Sequence, residues 1–124
     1  MKNFKELQIW QKAMILVTKT YVTTKSFPKE EIFGLTSQLR RCSVSIPSNI
    51  AEGSARASNK EFSRFISIAA GSLSEFQTQI EIAKNINYIN ETEFKNLYED
   101  SRELEAMIVS FYRKISAGHN SATQ

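Results

Sequence analysis

Apolar residues recur at helical spacing in four successive blocks of the chain. In the first, Leu7, Trp10, Met14, Val17 and Tyr21 step by 3, 4, 3 and 4, which sets them on one stripe of a helix. Leu35, Leu39, Cys42, Ile46 and Ile50 do nearly the same in the second. Phe62, Phe65, Ala69, Leu73, Phe76, Ile80 and Ala83 hold the pattern through the third. In the fourth it runs through Phe94, Leu97, Leu104, Ile108, Phe111 and Ile115, with one polar interruption at Ser101.

Capping chemistry marks the block boundaries. Pro28 followed by Lys29, Glu30 and Glu31 suits a helix start: proline needs no amide partner in a first turn, and the acids oppose the positive end of the dipole. Ser58 with Glu61 fits a capping box, and Asn90 with Glu93 imitates it. Gly53 closes the second block, where a left-handed cap is expected. Beyond Ala117 the periodicity stops, and Gly118, His119, Asn120 and Ser121 read as a flexible tail over residues 117–124. Helices of about 20–28 residues on short connections must fold back on their neighbours, and seven-residue repeats favour shallow left-handed crossings. The expectation is an all-α, left-handed antiparallel up-and-down four-helix bundle over residues 1–116.

Some apolar residues do not fit the four stripes. Ile9, Leu16, Ile32, Phe33, Ile68 and Ile82 fall off them, and one bundle core cannot cover all six. Exposed apolar patches mark interfaces, so the chain is expected to form a homo-oligomer.

The least generic stretch runs from Arg40 to Gly53. Pro47 sits inside a helical pattern, removes the hydrogen bond to the Ser43 carbonyl and crowds it, which predicts a kink in the second helix. Ser43, Ser45 or Ser48 are the side chains at hand to satisfy the freed backbone. Antiparallel pairing sets Cys42, Ser43 and Ser45 opposite Ala69, Ala70, Gly71 and Ser72, so small residues predict a close helix approach there. Arg41, Ser45, Asn49, Glu52 and Arg56 make a polar stripe, with Glu75 and Arg64 of the third helix at the heights of Arg41 and Glu52. For Asn49 and Glu52 an ion-pair and amide network is the preferred reading. For Arg40, Arg56, Lys60 and Arg64 a solvated basic rim, able to meet phosphate oxygens, stands beside it.

Charge sharpens this picture. The 124-residue chain carries a net charge of only +3, but residues 1–27 hold five lysines against Glu6 alone. Residues 90–124 hold four basic and six acidic residues. One end of the chain is therefore basic and the other acidic. Four glycines and two prolines are too few to punctuate a many-stranded fold. The first ten residues lack a signal-peptide core, and the longest apolar run, Ala13 to Val17, is far short of a membrane span. A cytoplasmic protein without membrane contact is expected.

Catalytic chemistry finds little purchase. The only histidine, His119, lies in the expected tail, which leaves no histidine for a triad or a zinc site on the bundle. A single cysteine, Cys42, rules out an intramolecular disulfide and a cysteine zinc cluster, and its core spacing predicts a buried, inert thiol. No Glu-x-x-His pair for a di-metal bundle and no phosphate-binding glycine loop occur. No enzyme, metal or cofactor is expected.

The run Ser45-Ile46-Pro47-Ser48-Asn49-Ile50-Ala51-Glu52-Gly53 closely resembles the 23S rRNA-intervening-sequence protein family, also called the four-helix bundle protein family. The resemblance extends through Leu7 to Met14, Phe27 to Glu31, Gly34 to Arg41 and Ala69 to Glu75, which takes in Gly71, Ser72 and Glu75. It covers about residues 3–115. It implies a left-handed antiparallel bundle assembled as a ring-like homopentamer. Members are encoded inside insertions in ribosomal RNA genes of some bacteria. A similar pentamer, the accessory variability protein of diversity-generating retroelements, works alongside a reverse transcriptase and nucleic acid. The leading expectation is a non-enzymatic, oligomeric nucleic-acid-binding protein, with RNA favoured. Phosphate would meet helix 1 (Lys2, Lys5, Lys12, Lys19) and the helix 2–3 junction with Arg40, Arg41, Arg56, Lys60 and Arg64. The rival is a scaffold ring that docks a partner enzyme.

Overall fold

The computed structural model describes the backbone of residues 3–123 and the side chains of residues 3–117. Lys2 lies outside the described residues, as do the side chains of the expected tail beyond Ala117, His119 among them. Four helices carry the fold: α1 (Gln8–Thr24), α2 (Leu35–Ser54), α3 (Asn59–Asn85) and α4 (Glu91–Thr123). Single 3₁₀ turns at Phe4–Glu6 and Lys29–Glu31 precede α1 and α2, and no strand occurs among the described residues.

Cross-helix contacts fix the antiparallel order. Arg40, early in α2, bonds Thr24 at the end of α1. Ser45 pairs with Ser72 and Gln38 with Gln79, so α3 runs back along α2. Gln77 reaches Ser101 and Glu105, the Phe62 ring meets Phe111, and Lys19 meets Asp100, which returns α4 beside both α3 and α1. The core they enclose is built from Leu39, Ile46, Ile50, Ile66, Leu73, Phe76, Ile80, Leu104 and Ile108, all nearly inaccessible. Each such side chain contributes about 1.5–3 kcal/mol by leaving water.

The stripes expected on α2, α3 and α4 supply most of this core, with Ile66 fully buried in place of the expected Phe65, which is half-buried, and the interruption at Ser101 is completely buried. Its hydroxyl donates to the Tyr98 carbonyl at 2.7 Å and accepts from Gln77, so it enters the core already satisfied. The stripe expected on α1 holds at its start, where Leu7 and Trp10 pack against the core, and fails further along. Met14 and Tyr21 are exposed, and the core face is Ile9, Ala13, Leu16, Thr20 and Thr24. The reason is the threonines. Thr20 and Thr24 donate to the carbonyls four residues back at 2.7 and 2.8 Å, so each presents its methyl group to the core. Ile9 and Leu16, expected at an interface, are therefore core residues, whereas Ile32, Phe33, Ile68 and Ile82 are exposed.

The helix start expected at Pro28 is a single 3₁₀ turn, and α2 begins only at Leu35. The Glu31 carboxylate explains the delay. One oxygen accepts from the Leu35 amide at 3.1 Å and the other from the Tyr88 hydroxyl at 2.7 Å, which caps α2 and staples the connection to the segment between α3 and α4. Of the two expected boxes, the one at Asn90 forms in full and the one at Ser58 forms by half. Ser58 Oγ accepts from the Glu61 amide, and Asn90 and Glu93 exchange bonds in both directions.

α2 runs unbroken through Pro47, which is buried. The serines do not serve the freed carbonyl as expected: Ser43 donates to Arg40 O at 2.9 Å, and Ser45 pairs with Ser72 at 2.7 Å. Gly53 is not a left-handed cap either. It lies inside α2, no glycine among the described residues has positive φ, and a Cβ built on it would stand 2.6 Å from Phe65 Cβ. Glycine is needed there because α3 comes too close for any side chain. Gly71, expected at the close approach, has nothing within 4 Å of such a Cβ and takes no part in it, whereas Ser45 and Ser72 bond across it.

Candidate nucleic-acid interface

The cations singled out by the sequence divide into two groups. Lys12 and Lys19 on α1 face α4. Lys12 Nζ lies 3.2 Å from Glu103 and 4.0 Å from Asp100, and Lys19 Nζ meets Asp100 and Asn96. Two lysines of the basic beginning of the chain are thus paired with its acidic end, one helix against the other. These pairs are partly exposed, so each is worth only about 0–1 kcal/mol to stability, but they take both lysines out of the free positive charge.

Arg40 is likewise engaged. Its Nε donates to Thr24 Oγ1 at 2.9 Å and its guanidinium lies 4.6 Å from the Tyr21 ring centre. It belongs to the α1–α2 seam rather than to a rim. Arg41 is exposed in mid-α2. Fifteen residues separate it from Arg56, about 22 Å along the helix, so the two do not form one patch.

Arg56, Lys60 and Arg64 do cluster, around the α2–α3 junction. The Arg56 guanidinium lies 4.7 Å from the Phe65 ring centre and 3.4 Å from Glu52, an exposed i,i+4 pair. Lys60 and Arg64 are exposed, one turn apart on α3, and without an ion pair among the described residues. Antiparallel packing brings three further free cations to this end of the bundle. Lys5 precedes α1, while Arg113 and Lys114 occupy late α4, with Lys114 and Glu6 bordering the same hollow. The sequence reading missed Arg113 and Lys114, although their adjacency in the fourth block was a usable signal.

The motif residues form a polar seam between α2 and α3. Asn49 Nδ2 donates to the Ser45 carbonyl at 2.8 Å and to Ser45 Oγ at 3.1 Å, and Ser45 reaches Ser72. Gln79 donates to Gln38 at 3.3 Å and to Glu75 at 3.4 Å. Glu52 instead pairs outward with Arg56. Cys42 borders this seam, its thiol directed at the Leu39 carbonyl and Gln79 Oε1. Burial first, and the nearby Glu75 charge second, push the Cys42 thiol up to about 12. No buried side-chain nitrogen or oxygen among the described residues lacks a partner.

Among the described residues no group of three His, Cys, Asp or Glu side chains could hold a metal ion, and no helix is long and apolar enough to cross a membrane. What the geometry defines is a four-helix bundle with a basic end and a tightly bonded motif seam. The chain belongs to the family described as 23S rRNA-intervening sequence protein, whose profile matches residues 5–110. It is also similar in fold to a crystal structure from Bacteroides thetaiotaomicron, described as a protein with unknown function from the S23 ribosomal protein family. That likeness has a TM-score of 0.76 at 20% identity and covers 84% of this chain and 97% of the other. No curated protein matches.

Proposed function

We propose that the protein is a non-enzymatic, cytoplasmic, oligomeric nucleic-acid-binding protein that takes RNA through the basic end of its bundle. The observation that carries this reading is the sorting of charge. Lys12, Lys19 and Arg40 are committed to other helices, whereas Lys60, Arg64, Arg113 and Lys5 stay free and gather at one end with Arg56. Phosphate oxygens are the ligands that an exposed cation cluster serves.

A gel-shift titration of a structured RNA against salt tests it. The double variant Lys60→Gln/Arg64→Gln should weaken binding and flatten the log–log salt dependence by about 0.7–0.9 per lost phosphate contact. Arg40→Gln and Lys12→Gln/Lys19→Gln should leave that slope unchanged. Failure of the wild type to shift RNA at low salt, or an equal loss in all three variants, would overturn the assignment. The second reading, a scaffold that docks a partner protein, is favoured by one observation: the Phe33 ring is 93% exposed. A partner retained through nuclease treatment but lost in Phe33→Asp would support it.

A further inference from the structure

Next to the basic end, a groove of about 280 Å³ opens between α3 and α4. Ile66, Ser67 and Ala70 form one wall, and Val109, Tyr112 and Arg113 the other. Tyr112 is 41% exposed, a large ring area left against water. Drug-sized ligands occupy pockets of about 300–1,000 Å³, so this groove suits one planar group better than a larger small molecule. A docked peptide helix would need a longer apolar strip. Further along the seam, Gln77 closes it by donating to Ser101 and Glu105 at 3.2 and 3.0 Å.

Charge identifies the occupant. Arg113 lines the groove and has no ion pair among the described residues. Lys60 lies seven residues before Ser67, hence on the same face of α3 and about 10 Å towards its start. The neighbouring carboxylate, Glu105, is already held by Gln77 and by Arg102 at 3.3 Å. An apolar slot with an aromatic wall and cations beside it is the arrangement that binds unpaired nucleotides.

We infer that this groove receives one unpaired base of a single-stranded nucleic acid, stacked on Tyr112, with the adjoining phosphates on Arg113 and Lys60. The inference rests on the nucleic-acid reading above and adds to it the preference for unpaired strands. Fluorescence anisotropy with a 12-nucleotide oligouridine, the matching oligothymidine and an RNA duplex of equal length tests both. The single strands should bind more tightly than the duplex, and comparison of the two shows whether the 2′-hydroxyl contributes. Tyr112→Ala should lower single-strand affinity about 5- to 150-fold, the range of one base–aromatic stack. Tyr112→Phe should restore it, and thermal melting should be little changed because the ring is already exposed. Equal duplex affinity, or Tyr112→Ala binding like wild type, overturns the groove assignment alone. Absence of binding to all three probes overturns the nucleic-acid reading with it.

Discussion

Two glycines of the helical interior have opposite surroundings, and substitution should separate them. A Cβ at Gly53 would stand 2.6 Å from Phe65 Cβ and 2.9 Å from Phe62 Cδ1, both on the helix packed against it. Gly53→Ala should therefore destabilise by about 1–3 kcal/mol, the cost of overpacking a filled core. Gly71 is exposed with nothing within 4 Å, so Gly71→Ala should stabilise by about 0.8–1 kcal/mol through helix propensity. Urea unfolding at one fixed protein concentration measures both, and a shared sign would contradict the packing described. Cys42 is the third informative residue. Its thiol, buried and held near 12, should resist a thiol reagent in the native protein at neutral pH and react once urea unfolds the chain. Cys42→Ala should cost about 1 kcal/mol.

Within single elements, side-chain hydrogen bonds decide which face turns inward. On α1, Leu16 is 1% exposed and Met14 is 39% exposed. Leu16→Ala should thus lose about 2–5 kcal/mol, whereas Met14→Ala should stay within about 0.5 kcal/mol; thermal or urea melts of the pair give the orientation of the helix directly. The apolar pattern alone gave the reverse, because Thr20 and Thr24 count as polar until their back-bonds are seen. The other three stripes were readable because Leu, Ile and Phe fill them at regular intervals. The same limit applied to the connection before α2. Pro28 and the acids signalled a helix start, but the Glu31 bonds to Leu35 and Tyr88 are tertiary and moved it to Leu35. For the candidate interface, Arg56, Lys60 and Arg64 were legible as neighbours in sequence. The pairing of Lys12 and Lys19 with α4 was not, since it depends on which faces of two distant helices meet. Glu31 also gives this element a pH response. The Leu35 amide, then the Tyr88 hydroxyl, hold its carboxyl below the ordinary value of 4.5. A depressed folded value stabilises the folded form above the unfolded pKa, and that contribution is lost as pH falls through the folded one. Protection of the Leu35 amide from hydrogen exchange, taken relative to its intrinsic rate at each pH, should fall across that acid range in the wild type, and Glu31→Gln should remove the acid-dependent part.

At the scale of the whole molecule, the two ends of the bundle differ in kind. The end with the α2–α3 junction carries the free Lys5, Lys60, Arg64, Arg113 and Lys114, whereas the exposed Lys25, Lys29 and Lys95 of the opposite end share it with Glu30, Glu91, Glu93 and Glu99. At the opposite end the Tyr88–Glu31 bond ties the α1–α2 connection to the segment after α3, and exposed Ile32, Phe33, Ile82 and Ile86 belong to these elements. Phe33, at 93% exposure, follows the Glu31 staple by two residues, so its ring stands on a fixed support rather than a loose loop. Covering a ring of that size gains about 1.5–3 kcal/mol, and a chain that leaves it bare is expected to associate through it. Light scattering at micromolar concentration should therefore report an oligomer, a pentamer if the family-wide expectation holds. Phe33→Asp should yield a smaller species with unchanged helicity by circular dichroism. Because association through the apolar end leaves the basic ends free to act together, the same variant should lose RNA affinity by up to about 10²–10⁴, the multivalent gain, although no cation has been altered. The salt slope per protomer should survive, since the phosphate contacts remain. A wild type that scatters as a monomer would remove the apolar end from the assembly. A dissociated Phe33→Asp that still binds RNA at full strength would show that each basic end acts alone.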